Sequence, residues 1–195
     1  MRKTVLIAIF FCIAVIARSQ NLIVSDSTYK AGIYKNFEEF KNNNPSIKFD
    51  YTVKTKEKGY GFLGAGGTVS LYRIEIDKKV GQSIGDVYGF SDGKNIYVNT
   101  HNPILHPKTE FFKIDLLGKY CYYQDYAYQS TGAQTITLMI ERVIDINTGE
   151  EIILNKKEVR KILANDAALL TAFEMEDGKN KKLKDYIKKF NEKNK

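Results

Sequence analysis

A change of hydrophobic period near residue 155 limits the folds that this chain can adopt. Over residues 47–154 apolar side chains recur mainly at every second position, beginning with Ile47, Phe49 and Tyr51. This period is typical of strands with one buried face. After residue 155 the apolar residues recur three and four positions apart, which predicts amphipathic helices. Strands that come first and helices that come last indicate an α+β fold with a mainly antiparallel sheet.

Two hairpin turns are predicted within the strand-forming region. Asp92-Gly93 lies between two β-prone segments, and this dipeptide supplies the positive φ angle that a tight hairpin turn requires. A second turn is expected at residues 147–149, Asn-Thr-Gly, between two segments rich in Ile and Thr. Gly118 marks a possible break within a long strand-forming segment. These signals favour consecutive antiparallel strands.

Helices are predicted at both ends of the sheet region. Asn36 is a candidate N-cap for a short helix that Pro45 would terminate. Asn155, followed by Glu158, resembles a capping box at the start of the first C-terminal helix. The residues 177–180, Asp-Gly-Lys-Asn, separate it from a second. We therefore expect a short N-terminal helix and two C-terminal helices packed on the sheet. The apolar stripes of the C-terminal pair are Val159, Ile162, Leu163, Leu169, Leu170 and Phe173, then Leu183, Tyr186, Ile187 and Phe190.

The first 19 residues have the pattern of a secretory signal peptide. Arg2 and Lys3 precede an apolar run over residues 5–17, which is shorter than the roughly 20 residues that a spanning helix needs. Small residues follow, so cleavage is expected between Ser19 and Gln20. The sequence thus predicts an exported protein, periplasmic or extracellular, with no transmembrane segment after cleavage.

Cleavage would leave residues 20–195, a length that suits a single α+β domain. Residues 1–19 hold Arg2, Lys3 and Arg18 and no acid, so their removal lowers the net charge of +7 by three, to +4. This modest charge argues against a nucleic-acid partner. Cys121 would be the one remaining cysteine, which excludes an intramolecular disulfide and favours a small buried apolar residue.

A glycine-rich segment at residues 59–67 resembles two phosphate-binding motifs. Gly59, Gly61 and Gly64 satisfy G-x-G-x-x-G, and Gly67 stands where a P-loop would have its lysine. Both motifs must open a helix, but the residues that follow, Thr-Val-Ser-Leu-Tyr-Arg, are strand-forming. The segment is therefore interpreted as a connector between strands, not as a nucleotide site. A loop that contacts a ligand or partner remains open as an alternative.

The reactive side chains form no recognisable catalytic or metal motif. His101 and His106 are five residues apart with Pro103 between them, a spacing unlike H-E-x-x-H. No nucleophile motif surrounds Cys121. Four acids, which are scattered over presumed strands and turns, suggest no pair: Asp86, Asp92, Asp115 and Asp125. The sequence accordingly predicts no catalytic residue, no cofactor site and no metal site.

Five tyrosines within nine residues are the remaining feature with binding potential. Tyrosine covers apolar area and keeps a polar tip, so an aromatic groove for glycans or peptides is possible, with simple strand packing as the alternative. The chain has no Trp, which weakens the carbohydrate version. These tyrosines are Tyr120, Tyr122, Tyr123, Tyr126 and Tyr128.

Three segments of the sequence also resemble a known group of proteins. They are residues 32–46 (GIYKNFEEFKNNNPS), residues 89–99 (GFSDGKNIYVN) and residues 186–194 (YIKKFNEKN). Together they are similar to uncharacterised exported proteins of the Bacteroidota. The resemblance implies an exported α+β domain and implies no activity.

The sequence as a whole predicts an exported protein of unknown biochemical function. The absence of an assembled catalytic motif favours a non-enzymatic binding or structural role at the cell envelope, with an envelope protein, a peptide or a glycan as partner. The alternative is an envelope hydrolase whose site is assembled only by the fold. A small-ligand carrier that uses the tyrosine-rich strand is a third hypothesis.

Overall fold

The strands pair in antiparallel fashion, as the recurrence of apolar residues at every second position predicts. The structure is a computed structural model that describes residues 22–25, 29–48, 50–61, 64–100, 108–130, 132 and 134–194. Eight strands form one sheet in the order β10-β9-β8-β7-β6-β5-β1-β2, and β3 and β4 form a separate two-stranded hairpin. The strands are β1 (Gly32–Tyr34), β2 (Ile47–Lys48), β3 (Thr52–Tyr60), β4 (Gly67–Glu75), β5 (Gly89–Ser91), β6 (Ile96–Val98), β7 (Phe112–Leu116), β8 (Tyr120–Ser130), β9 (Thr135–Asp145) and β10 (Glu151–Ile153).

Both predicted hairpin turns are confirmed. The carboxylate of Asp92 accepts hydrogen bonds from the backbone N–H groups of Lys94 (2.8 Å) and Asn95 (2.7 Å), and Gly93 has a φ of 88°. Between β9 and β10 the amide of Gly149 donates to the carbonyl of Asp145 at 2.7 Å. Because these turns are stabilised by contacts within a few residues, they could be predicted from short stretches of sequence.

The strand predicted by the alternation of Ile47, Phe49 and Tyr51 is interrupted. Its first part is β2, a two-residue edge strand that pairs with β1, and its second part opens β3 in the hairpin. Asp50 and Tyr51 lie between them outside any strand, and Phe49 lies outside the described residues. The alternating pattern was correct for burial, since Ile47, Tyr51 and Val53 pack against one cluster. Periodicity alone does not show where a chain leaves one sheet for another.

The helices are α1 (Leu22–Ser25), α2 (Phe37–Lys41), α3 (Lys78–Ile84), α4 (Lys156–Leu163), α5 (Ala167–Met175) and α6 (Leu183–Lys193), with a 3₁₀ turn at Lys179–Lys181. The predicted caps are confirmed, because Asn36 accepts from the amide of Glu39 and Asn155 accepts from the amides of Lys157 and Glu158. None of these helices in the described part of the chain is long and apolar enough to cross a membrane.

The C-terminal helical region packs on the sheet as predicted, but its first helix is divided. Asp166 caps a new helix, α5, by accepting a hydrogen bond from the amide of Leu169, so three α-helices stand where two were expected. The sequence analysis also missed α3. None of the residues of α3 is buried, so it lacks the apolar stripe on which helix prediction depends.

Alternate residues of β8 and β9 contribute to two different cores. Cys121, Tyr123 and Ile144 belong to a cluster that includes Phe40 of α2. The neighbouring Tyr122 and Val143 pack instead with α4, α5 and α6. The N-terminal helix and the C-terminal helices therefore cover opposite faces of the sheet.

Candidate binding groove

The glycine-rich segment forms the tip of the β3–β4 hairpin. β3 ends at Tyr60 and β4 begins at Gly67, so the segment leads into a strand and the predicted connector is confirmed. A Cβ atom on Gly66 or Gly67 would lie within 3 Å of the Tyr60 side chain, which shows why small residues occupy both positions. Residues 62–63 lie outside the described residues.

The hairpin is attached to the main sheet at two places. At Tyr72 in β4, the backbone exchanges two hydrogen bonds with Phe111, at 2.9 and 2.8 Å. At the tip, the amide of Gly61 donates to the carbonyl of Thr137 in β9 at 2.7 Å. The tip is therefore held against β9 at Gly61, while the middle of β3 makes no strand pairing other than with β4 among the described residues.

A groove opens between these two attachments, and we call it the hairpin groove. It encloses about 570 Å³, which lies in the range of ordinary ligand sites. Consecutive residues of β3 form one side of it, and β8 contributes two tyrosines. Its lining residues are Lys56, Glu57, Lys58, Gly59, Leu71, Glu110, Tyr126 and Tyr128.

A buried carboxylate organises the inner part of the hairpin groove. The side chain of Glu110 is 6% exposed, and each of its oxygens has a donor: Arg73 Nη2 lies 2.5 Å from Oε1 and the Tyr126 hydroxyl 2.8 Å from Oε2. Burial, followed by this hydrogen bond to Glu110, raises the pKa of Tyr126 above its usual value. The Tyr126 hydroxyl therefore stays protonated and acts as a donor. Glu110, which lies just before β7, is bonded through these contacts to β4 and β8.

A lysine and a tyrosine form the outer part of the groove. Lys58 Nζ donates to the hydroxyl oxygen of Tyr128 at 2.5 Å and lies 5.0 and 4.7 Å from the ring centroids of Tyr126 and Tyr128. The ammonium thus covers ring faces that could otherwise stack on a sugar. The two other protons of the Lys58 ammonium remain as hydrogen-bond donors for a ligand.

The tyrosine-rich strand is divided between core and groove. Tyr122 and Tyr123 are fully buried, and Tyr120 packs against the cluster of C-terminal helices. Tyr126 and Tyr128 line the groove, and Tyr128 is 47% exposed. Strand packing therefore accounts for Tyr120, Tyr122, Tyr123 and also Tyr126, which is 3% exposed, and ligand binding by Tyr128 stays a prediction.

Among the described residues, the other candidate side chains do not come together in a site. Cys121 is fully buried, its thiol donates to the carbonyl of Gly118, and burial raises its pKa to about 12. His101 and His106 lie outside the described residues. The part of the chain that is described holds no group of three or more metal-ligating side chains.

The four scattered acids have separate partners. Asp92 lies in its turn, and the others form ion pairs with basic residues in different parts of the fold: Asp86 with Lys108, Asp115 with Lys184 and Asp125 with Arg142. Glu110, Arg73 and Lys58 were not predicted from the sequence. No motif surrounds them, because they are separated in sequence and meet only where the hairpin contacts the sheet.

Comparison with known proteins assigns the chain to a family. Neither the curated proteins nor the solved structures include a significantly similar chain. A family model described as a family of unknown function matches residues 32–194, which span the sheet, the hairpin and all three C-terminal helices. The protein therefore belongs to this family of unknown function, DUF6563.

Proposed function

We propose that this protein is an exported, non-enzymatic binding protein of the cell envelope, and that the hairpin groove holds its ligand. The observation that carries the proposal is the convergence in one open groove of Lys58, Tyr128 and the Glu110 network. These groups offer hydrogen-bond donors and aromatic surface around a volume of ligand size. The signal-like pattern of residues 1–19 supports export.

The bonding of Glu110 favours binding over hydrolysis. A general acid or base must exchange a proton with the substrate, so its carboxylate needs an oxygen that can reach the reacting group. Both oxygens of Glu110 already accept hydrogen bonds, from Arg73 and from Tyr126. This carboxylate holds the wall of the groove in place and is poorly placed for proton transfer. Cys121, whose thiol is buried and protonated, is equally unsuited to act as a nucleophile.

Replacing Lys58 or Tyr128 with alanine should weaken ligand binding about tenfold, since each change removes a polar side chain that lines the groove. Fluorescence anisotropy of the full chain would measure this, with labelled nine-residue peptides of acidic, basic and neutral composition and with neutral and uronic-acid oligosaccharides as probes. Lys188→Ala removes an exposed lysine of α6 and serves as the matched control. Unchanged affinities in both groove variants, or no binding by any probe, would contradict the proposal.

Export makes a separate prediction. When the full chain is expressed in a Gram-negative host, the recovered protein should begin at Gln20, as N-terminal sequencing and intact mass would show. Ile9→Arg places a charge in the apolar run and should abolish processing, whereas Ile9→Leu should leave it unchanged. Recovery of unprocessed cytoplasmic protein from the unmodified gene would contradict export.

A further inference from the structure

The outer edge of β3, the edge away from β4, borders the hairpin groove. The carbonyl of Tyr60 accepts from the amide of Gly66 inside the hairpin, and the amide of Gly61 points outward to Thr137. Successive residues of a strand direct their backbone groups to alternate edges. Thr55, Glu57 and Gly59 therefore present their N–H and C=O groups to the outer edge.

In the described part of the chain, the outer edge of β3 forms no strand pairing at the residues that precede Gly61. β3 pairs with β4 along all nine of its residues, and its contact with β9 is the single bridge at Gly61 and Thr137, which is antiparallel. Four consecutive residues of β3, numbers 56–59, line the groove. This is expected when the edge of a strand borders an opening. A further antiparallel strand could continue the pairing that Gly61 and Thr137 begin.

The side chains along this edge are positively charged on one face. Lys54, Lys56 and Lys58 alternate with Thr55 and Glu57, so the three lysines share one face of β3, and on that face Lys58 contacts the rings of Tyr126 and Tyr128. Lys54 pairs with Glu75 at 2.6 Å. No described acid forms an ion pair with Lys56 or Lys58, so both can meet charges on a ligand. Their spacing of two residues matches the side-chain repeat of an extended peptide.

We propose that the hairpin groove binds an extended acidic peptide segment, which adds to β3 as an antiparallel strand and places acidic side chains opposite Lys56 and Lys58. This inference rests on the proposed binding function and identifies the class of its partner. The backbone of the segment bonds to Thr55, Glu57 and Gly59, and its acidic residues occupy alternate positions. Main-chain bonds supply affinity in this mode, and the charges supply specificity.

Two other roles for this edge make different predictions. In the first, the lysines protect the edge strand from pairing with another sheet, and no peptide would bind there. An acidic glycan could contact the same lysines, but it would not depend on the backbone groups of β3. The test therefore has to separate charge from backbone pairing.

The probe is a nine-residue peptide, the length of β3, with Glu at every second position and Thr between. In an antiparallel pair, residues opposite Lys56 and Lys58 direct their amides away from β3, and the intervening residues bond to it. N-methylation of the Thr positions should therefore abolish binding, whereas N-methylation of the Glu positions should leave it largely intact. Replacing Glu with Gln should weaken binding about tenfold.

Matched variants of the full chain test the same two contributions. The double variant Lys56→Glu/Lys58→Glu should bind the acidic peptide at least about tenfold more weakly, and Lys188→Glu should not. Thr55→Pro removes one outward N–H without disturbing the bonds to β4, a substitution that edge strands tolerate. It should retain the circular dichroism spectrum and lose binding, whereas Thr55→Ala should retain both.

The outcomes distinguish this inference from the proposed function. Dependence on the charge of both partners, together with the N-methylation pattern, supports strand addition. Binding of polygalacturonate but not of the acidic peptide would overturn strand addition and leave the groove as a binding site. Equal effects of the two N-methylation patterns would also overturn it. Failure of every peptide and glycan probe would overturn both proposals.

Discussion

Arg142→Met should lower the free energy of unfolding by about 3–5 kcal/mol, because it removes the guanidinium from a buried carboxylate. Arg142 Nε donates to Asp125 Oδ2 at 2.8 Å, and the two side chains are 8% and 0% exposed. They lie on the adjacent strands β8 and β9, which are both flanked by other strands of the sheet. Without Arg142, the charge of Asp125 is left in a site that water does not reach. Urea denaturation followed by circular dichroism would measure the loss.

Two further variants show whether the effect comes from the buried charge. The double variant Asp125→Leu/Arg142→Met replaces the pair with apolar side chains and should recover most of the stability, since paired burial of charge contributes little by itself. Arg160→Met breaks the exposed pair with Glu174 and should leave the denaturation midpoint almost unchanged. A loss below about 1 kcal/mol in the single variant would show that the surroundings of Asp125 adapt to the missing guanidinium.

Asn191→Leu should lower the free energy of unfolding by about 2–4 kcal/mol, because it removes two hydrogen bonds from the backbone of Tyr120. Asn191 is 4% exposed, and its amide accepts from the Tyr120 N–H at 3.0 Å and donates to the Tyr120 carbonyl at 2.8 Å. These bonds attach α6 to the start of β8. Leucine has nearly the same shape, so the change mainly removes hydrogen bonding. Thermal and urea denaturation would measure the loss.

A neighbouring glycine gives an independent test of the same contact. A Cβ atom on Gly118 would lie 2.3 Å from Asn191 Cγ, so Gly118→Ala should displace the Asn191 side chain and destabilise the protein. Combined with Asn191→Leu, it should add less than the sum of the single effects, because both changes remove one interaction. Asn194→Leu, which alters a bond at the exposed end of α6, is the control and should have a small effect. Strict additivity would contradict this explanation.

The elements that were predicted from sequence are those stabilised by local contacts. The caps at Asn36 and Asn155 and the turn at Asp92 bond to backbone groups at most three residues away, so short stretches of sequence contain the whole interaction. The exposed helix α3 was missed because its stability does not depend on an apolar stripe. The division of the C-terminal region at Asp166 was missed because apolar periodicity continues on both sides of it.

The candidate site depends on contacts between residues that are distant in sequence. Lys58 and Tyr128 are 70 residues apart, and Arg73 and Glu110 are 37 apart. The sequence around each of these residues does not indicate which distant residue it contacts. Only the high tyrosine content of β8 pointed toward the candidate site. The structure then distinguished Tyr128, which is exposed in the groove, from Tyr126, which belongs to the core and borders the groove from inside. Export stays a prediction from residues 1–19.

The sequence by itself determined the α+β class, the antiparallel strands, the principal turns and caps, and the role of the glycine-rich segment as a connector into a strand. These properties follow from side-chain period and from backbone preferences over a few residues, which a linear sequence records directly. Only the tertiary structure decided that this hairpin leaves the main sheet, is attached to it at Tyr72 and Gly61, and opens a charged groove beside Tyr128. The physical reason is that burial and charge pairing act between surfaces, and surfaces exist only after distant segments have packed together.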